Sequence, residues 1–354
     1  MSDGSILTLA AVGDIMLGDN SILVGHGVGS VIKKHGAEFI FKNISGILQK
    51  TDIIFGNLEC VLSETEINHS DIHSVTMRAS ESSINGLTYA GFNVLSIANN
   101  HILEHGENSL LRTQKILSEN GIKTVGVSKN KKESREPVIL NKNGISIGFL
   151  AYCLIRDKTA YCSVEDPYSI VNDVKKAKKR VDFLVISLHW GNEYVHKPSN
   201  EQFLLSHEII DAGANLILGH HPHVLQGVEE YKGGIIVFSM GNFVFDMWQR
   251  KMRESMIFSC RFSKNKIIDF EIIPVYINDF YQPVILCGVK KEKLLSKITK
   301  EYLRYADNDA YKKEVNECRN KYRLDLVKYL VTNFYNYKPS YLYQILESSI
   351  KRRL

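Results

Sequence analysis

The sequence predicts an α/β fold of two sheets flanked by helices, with a helical extension at its C-terminal end. Three observations carry that expectation. Apolar runs of strand character alternate with amphipathic helical patterns from residue 6 to about residue 220. Runs at 235–238, 255–262 and 267–275 then follow one another across short loops, which predicts antiparallel pairing on a second sheet. Beyond Gly288 the composition shifts to Lys, Glu, Leu and Tyr with helical spacing over 291–305 and 320–335, and Pro339 introduces a last helix over 340–351. The expected division is one domain over residues 1–286 and an extension over 287–354.

Taken in order, the apolar runs end at polar clusters. Run 7–12 ends at Gly13-Asp14, run 53–55 at Gly56-Asn57-Leu58-Glu59, and run 94–98 at Asn99-Asn100-His101. A helix is expected from about Glu107 to Ser118, with Leu110, Leu111 and Leu117 on it and Gly121 as its stop. Run 183–188 ends at His189-Trp190-Gly191, and Ser199-x-x-Gln202 reads as a capping box before Phe203, Leu204, Ile209 and Ile210. Run 216–218 then ends at Gly219-His220-His221-Pro222-His223, and run 235–238 precedes Gly241-Asn242-Phe243. Parallel strands joined by helical crossovers deliver their C-terminal ends to one edge, so these clusters should converge on one site. Strand alternation predicts that His220 points away from it. Gly241-Asn242 reads equally well as a plain turn.

Composition sets the bounds. The chain has 354 residues, 44% hydrophobic and 23% charged, which is globular material and excludes a disordered chain. Much of the modest excess charge of +5 lies in runs 175–180 and 351–353, neither interleaved with aromatics, so no nucleic-acid partner is expected. Cys60, Cys153, Cys162, Cys260, Cys287 and Cys318 form no CxxC pair and read as free thiols. The apolar stretch before Asp14 is too short for a signal sequence or a membrane span, which predicts a cytoplasmic chain. The aromatics Tyr329, Phe334, Tyr335, Tyr337, Tyr341 and Tyr343 are expected to dock the terminal helices on the domain.

The polar clusters together hold carboxylates, an amide and several imidazoles, a mixed O/N set suited to Mn, Fe or Zn. Structural zinc sites close with Cys and His at short spacing, whereas these residues are spread over roughly two hundred positions. The pattern therefore points to a catalytic site holding one or two divalent metals.

The motifs Val12-Gly13-Asp14-Ile15-Met16-Leu17-Gly18, Gly56-Asn57-Leu58-Glu59, Ala98-Asn99-Asn100-His101, His189-Trp190-Gly191-Asn192-Glu193-Tyr194, Gly219-His220-His221-Pro222-His223 and Gly241-Asn242-Phe243-Val244-Phe245-Asp246 occur in this order. They resemble the CapA family of poly-γ-glutamate capsule-biosynthesis proteins, whose fold is similar to that of calcineurin-like metallophosphatases. The resemblance implies a metallophosphatase-like two-sheet sandwich. It implies that Asp14 and His223 serve a first metal, and Asn100, His189 and His221 a second. Glu59 would be the shared carboxylate, with Asn57 as the alternative at the superfamily's bridging-aspartate position. His101 would act as proton donor and Arg78 would clamp substrate charge, while Trp190 and Glu193 would orient His189. Met16 stands where phosphatases carry a histidine, which implies a weaker first site.

The function so implied is a metal-dependent hydrolase acting on a small-molecule or polymer substrate that carries phosphate, carboxylate or amide. The alternative is a non-catalytic accessory or binding protein working with partner proteins in polyglutamate or exopolymer biosynthesis.

Overall fold

The computed structural model describes residues 5–128, 130–155, 166–304 and 307–351. Cys162, Arg352 and Arg353 lie outside the described residues. The first strand, Leu7–Ile15, is buried along nearly its whole length and forms the middle of an eight-stranded sheet. On one side it pairs in parallel with Ile53–Leu58, followed by Val94–Ser96 and Lys123–Val125. On the other side it pairs antiparallel with Glu254–Phe262, followed by Ile267–Ile277 and Pro283–Ile285. The short strand Asn242–Val244 lies parallel to its C-terminal end.

A six-stranded sheet runs in the order Val228–Tyr231, Gly234–Val237, Leu216–His220, Phe183–His189, Ile145–Cys153, Val138–Lys142. Its central strands are parallel and buried on both faces, which is why they read as unbroken apolar runs. One hydrophobic core lies between the sheets, where Phe55 stacks on Phe149 at 5.6 Å. A second covers the outer face of the six-stranded sheet, where Ile170, Val174, Ile209 and Ile210 pack on Leu184, Ile186 and Ile217.

The helices follow their local signals. The helix expected near 107–118 spans Gly106–Glu119. Ser199 Oγ accepts from the Gln202 amide at 3.2 Å and Gln202 Oε1 accepts from the Ser199 amide at 3.0 Å, so the capping box opens helix Asn200–Asp211.

The late strands depart from expectation. Val228–Tyr231 reverses through Lys232 and Gly233, both at positive φ, so Gly234–Val237 returns parallel to Leu216–His220 within the six-stranded sheet. Glu254–Phe262 and Ile267–Ile277 are antiparallel as expected, but they extend the sheet of the first strand instead of building the other.

The extension comprises helix Gly288–Ser296, a π turn Lys297–Glu301, and helices Asn308–Asn333 and Pro339–Lys351. Leu294, Ile298 and Tyr302 enter the main core, while Leu330, Tyr337 and Tyr341 pack with Val24 and Ile72. The aromatic stripe divides. Tyr329, Tyr337 and Tyr341 dock the helices, but Phe334, Tyr335 and Tyr343 are 61%, 71% and 67% exposed. Among the described residues no helix is long and apolar enough to cross a membrane.

Candidate metal centre

The strands continue through the polar residues at their C-terminal ends, and register brings those residues level. Asp14 pairs with Asn57 on one side and Asn242 on the other, and His189 pairs with His220 in the facing sheet. Gly13 permits the approach of the segment that opens strand Asn242–Val244, since a Cβ there would meet the Gly241 carbonyl at 2.0 Å. The Asp14 amide donates to that carbonyl at 2.9 Å.

Asp14, Asn57 and Glu59 are fully buried, and His189, His221 and His223 nearly so. Asn57 Nδ2 donates to Asp14 Oδ1 at 2.9 Å and Glu59 Oε1 at 3.1 Å. In this orientation its oxygen faces Asn99, so the amide nitrogen meets the carboxylates and Glu59 presents the anionic oxygens. Asp14, Glu59 and His223 each place one ligand atom within 4.8 Å of the others'. His189 Nε2 lies 2.8 Å from Asn100 Oδ1, and the His189 and His221 rings are 4.8 Å apart. The residues implied for each of the two metals thus form two adjoining groups, with Glu59 Oε1 3.6 Å from His189 Nδ1 and Glu59 Oε2 4.0 Å from His223 Nε2.

The electrostatics suit a cation. Burial, and then the adjacent Asp14, push the Glu59 carboxyl well above its ordinary range. Burial alone would raise Asp14 too, but the hydrogen bond and charge of His220 and the charge of His223 outweigh it and hold Asp14 low. Burial, reinforced by neighbouring imidazoles, drives His189 well below its usual value. Burial likewise brings His221 down to about 4. Neutral imidazoles are the ligand form. Glu59 Oε2 and His221 Nδ1 are buried without a hydrogen-bond partner. Two buried carboxylates, one oxygen orphaned, beside unprotonated ring nitrogens fit a divalent metal that supplies the missing positive charge. Cys60 adjoins Glu59, but burial pushes its thiol up to about 12 and Sγ accepts from the Leu17 amide, so the donor set is O and N only.

His101 stands at the rim, its side chain 20% exposed, with Nδ1 2.9 Å from Glu104 Oε1 and Nε2 3.2 Å from Asn100 Nδ2. The Arg78 contacts run elsewhere: Nη1 donates to the carbonyls of Ser63 at 3.2 Å and Thr65 at 2.6 Å. Trp190 Nε1 donates to the Phe238 carbonyl at 3.0 Å, and Met16 is enclosed in the main core.

Contrary to the alternation argument, His220 reaches the cluster, with Nδ1 2.9 Å from Asp14 Oδ1. Regular alternation fails just after it because His221 and His223 adopt φ of 94° and 57°, which wraps the loop around Asp14. Asn242 is also more than a turn. Its Oδ1 is 2.9 Å from His223 Nδ1 while its Nδ2 donates to the Met252 carbonyl at 3.0 Å, which fixes that ring and leaves Nε2 facing Glu59. The fold sets Asn242 level with Asp14 on a neighbouring strand, a register that the sequence does not carry.

Comparison with known proteins agrees with the motifs. Residues 8–247 match the family described as bacterial capsule synthesis protein PGA_cap. The chain is 31% identical over 308 residues to the capsule biosynthesis protein CapA of Bacillus anthracis, covering 83% of this chain and 73% of that protein. It is 29% identical over 305 residues to the PGA biosynthesis protein CapA of Bacillus subtilis, covering 84% and 78%. Among solved structures, a phosphatase of Mycoplasma pneumoniae is 12% identical, covering 82% of this chain and 97% of that one with a TM-score of 0.49. By the family match and the identity to its relatives, the chain belongs to the PGA_cap family of bacterial capsule synthesis proteins.

Proposed function

We propose that this protein is a metal-dependent hydrolase of the metallophosphatase type, acting on a phosphoester or an amide- or carboxylate-bearing substrate. The observation that carries the reading is the buried Glu59 carboxylate, with Oε2 unpaired, shared between the Asp14–His223 pair and the Asn100–His189–His221 group. Asp14, Glu59 and His223 would hold one metal and Asn100, His189 and His221 another. A divalent cation there supplies Lewis acidity, acidifying water and polarising the electrophile. His220 and Asn57 keep Asp14 oriented, and Asn242 keeps His223 in the tautomer with Nε2 free. Glu104 holds His101 by Nδ1, and a protonated His101 would hand its Nε2 proton to a leaving atom at the rim by turning Nε2 away from the Asn100 amide nitrogen it faces here. Arg78, bound to the Ser63 and Thr65 carbonyls, braces that segment in this reading and acts on substrate only by exchanging those contacts.

The second reading is an accessory role in polyglutamate synthesis without turnover, favoured by the names of the relatives, which refer to capsule and PGA biosynthesis. Elemental analysis after reconstitution with Mn, Fe and Zn, combined with phosphomonoesterase and phosphodiesterase panels, separates the two. Hydrolase function predicts one or two bound divalent metals per chain and turnover of at least one substrate class. Bound metal with no turnover on phosphoester, amide or polyglutamate substrates favours the accessory role. Absence of bound metal contradicts the proposed centre.

A further inference from the structure

The C-terminal helix Asn308–Asn333 lies beyond residues 8–247, yet one of its side chains backs the metal centre. The Tyr194 ring lies 6.5 Å from that of His223 at an interplanar angle of 29°, and Tyr322 stacks on Tyr194 at 4.3 Å and 6°. Trp248 closes the series at 5.2 Å from Tyr322 and also packs on Tyr329 at 5.4 Å. Phe245 meets His223 edge-on at 4.9 Å.

Asn242 holds Nδ1 of His223 and Asp14 Oδ2 lies 3.6 Å from the same nitrogen, so the tilt of the buried ring is left to the rings around it. Phe245 is the nearer of these rings, and Tyr194 is the one that the C-terminal helix reaches. It holds a φ of 71°, rare for a bulky side chain, and its amide donates to the Pro222 carbonyl at 2.8 Å. A strained residue keeps its conformation only where its surroundings enforce it; here the Pro222 carbonyl holds the backbone and the flat face of Tyr322 holds the ring. The helix is registered for this by Arg319, which donates to Asn192 Oδ1 at 3.1 Å, and by Glu314, 2.9 Å from Lys197 Nζ.

We propose that Tyr322 is a positioning residue that, through Tyr194, aims His223 at the first metal, so that the C-terminal extension completes the centre. The proposal rests on the metal-site reading above. Its test is Mn²⁺ binding by equilibrium dialysis to wild type and to Tyr322→Ala, Tyr322→Phe, Tyr322→Leu and Tyr329→Ala, each checked by Trp fluorescence and thermal unfolding.

Loss of a partner that orients a ligand weakens metal affinity roughly 10–100-fold. Tyr322→Ala and Tyr322→Leu should therefore bind the more sensitive Mn²⁺ at least about tenfold more weakly. Tyr322→Phe, which keeps the flat face and gives up only the hydroxyl that hydrogen-bonds Tyr194, should bind closer to wild type than Tyr322→Leu. Tyr329→Ala should bind normally, because it loosens the same helix contact at Trp248 without touching Tyr194. If Tyr322→Ala and Tyr329→Ala weaken binding equally, the helix merely adds stability and the positioning role is overturned. Unchanged affinity in Tyr322→Ala and Tyr322→Leu overturns it as well. Wild type that binds no Mn²⁺ removes the metal centre itself, and this role with it. Should Tyr322→Ala fail to fold, the comparison of Tyr322→Leu with Tyr322→Phe decides the matter.

Discussion

His101 and His221 sit close together but differ in what surrounds their nitrogens. His101 has both nitrogens in contact with polar side chains at the rim, whereas His221 Nδ1 is buried and unpartnered beside His189. Removing a proton donor costs about 10²–10⁴ in rate without emptying a metal site. His101→Ala should thus lose about that factor in hydrolysis while keeping its metal content, and His221→Ala should lose both. Equal metal loss in the two variants would reject this division of roles. Much of the cluster was legible because Asp14, Glu59, Asn100, His189, His221 and His223 each belong to a polar cluster that ends an apolar run. His220 was not, because alternation grants only one of His220 and His221 to the site, and the positive φ at His221 that lets both reach it has no sequence rule. Asn242 and Glu104 acquire meaning only through partners that the fold brings within hydrogen-bond distance.

Among the secondary elements, helix Asn200–Asp211 shows how far local signals reach. Its capping box closes as written in the sequence, and Gln202 Nε2 also donates to Gln226 Oε1 at 3.3 Å, which ties the helix start to the segment after His223. Loss of a Ser cap costs about 0.5–2 kcal/mol. Ser199→Ala should accordingly lower unfolding stability by about 1 kcal/mol in a denaturant melt, and an unchanged midpoint would show that the cap contributes nothing. The alternation of strands and helices to residue 220 was equally readable, since buried parallel strands demand apolar runs. Sheet membership of the late strands was not. It depends on the reversal at Lys232-Gly233 and on which edge of the first strand lay open, neither of which has a periodic signature.

Across the whole molecule, buried histidines outside the proposed ligand set add to the response to acid. Burial lowers His196, whose ring stacks on Tyr302 at 4.5 Å, and it lowers His26. Burial and then the Arg78 charge lower His105. The unfolded chain takes up these protons near pH 6.5, while the folded chain resists them to lower pH. Their contribution to stability is therefore complete above about pH 6.5 and is lost as pH falls through the depressed folded values. The melting temperature of the metal-free protein should fall progressively from about pH 6.5 toward pH 5, with a shallower slope in His196→Gln. A flat profile over that window, or an identical slope in the variant, would contradict this assignment. At the same scale, docking of the extension was anticipated from its aromatics, but the exposure of Phe334, Tyr335 and Tyr343 was not, because helical spacing alone does not say which face meets the domain.

The most direct measurement is anomalous diffraction from crystals grown with Mn²⁺. The metal-centre reading predicts a peak bounded by Asp14, Glu59 and His223, accompanied at higher Mn²⁺ by a second beside Asn100, His189 and His221. Full-occupancy Mn²⁺ elsewhere on the chain, with the Asp14–Glu59–His223 cluster still closed by the Asn57 amide, would contradict it.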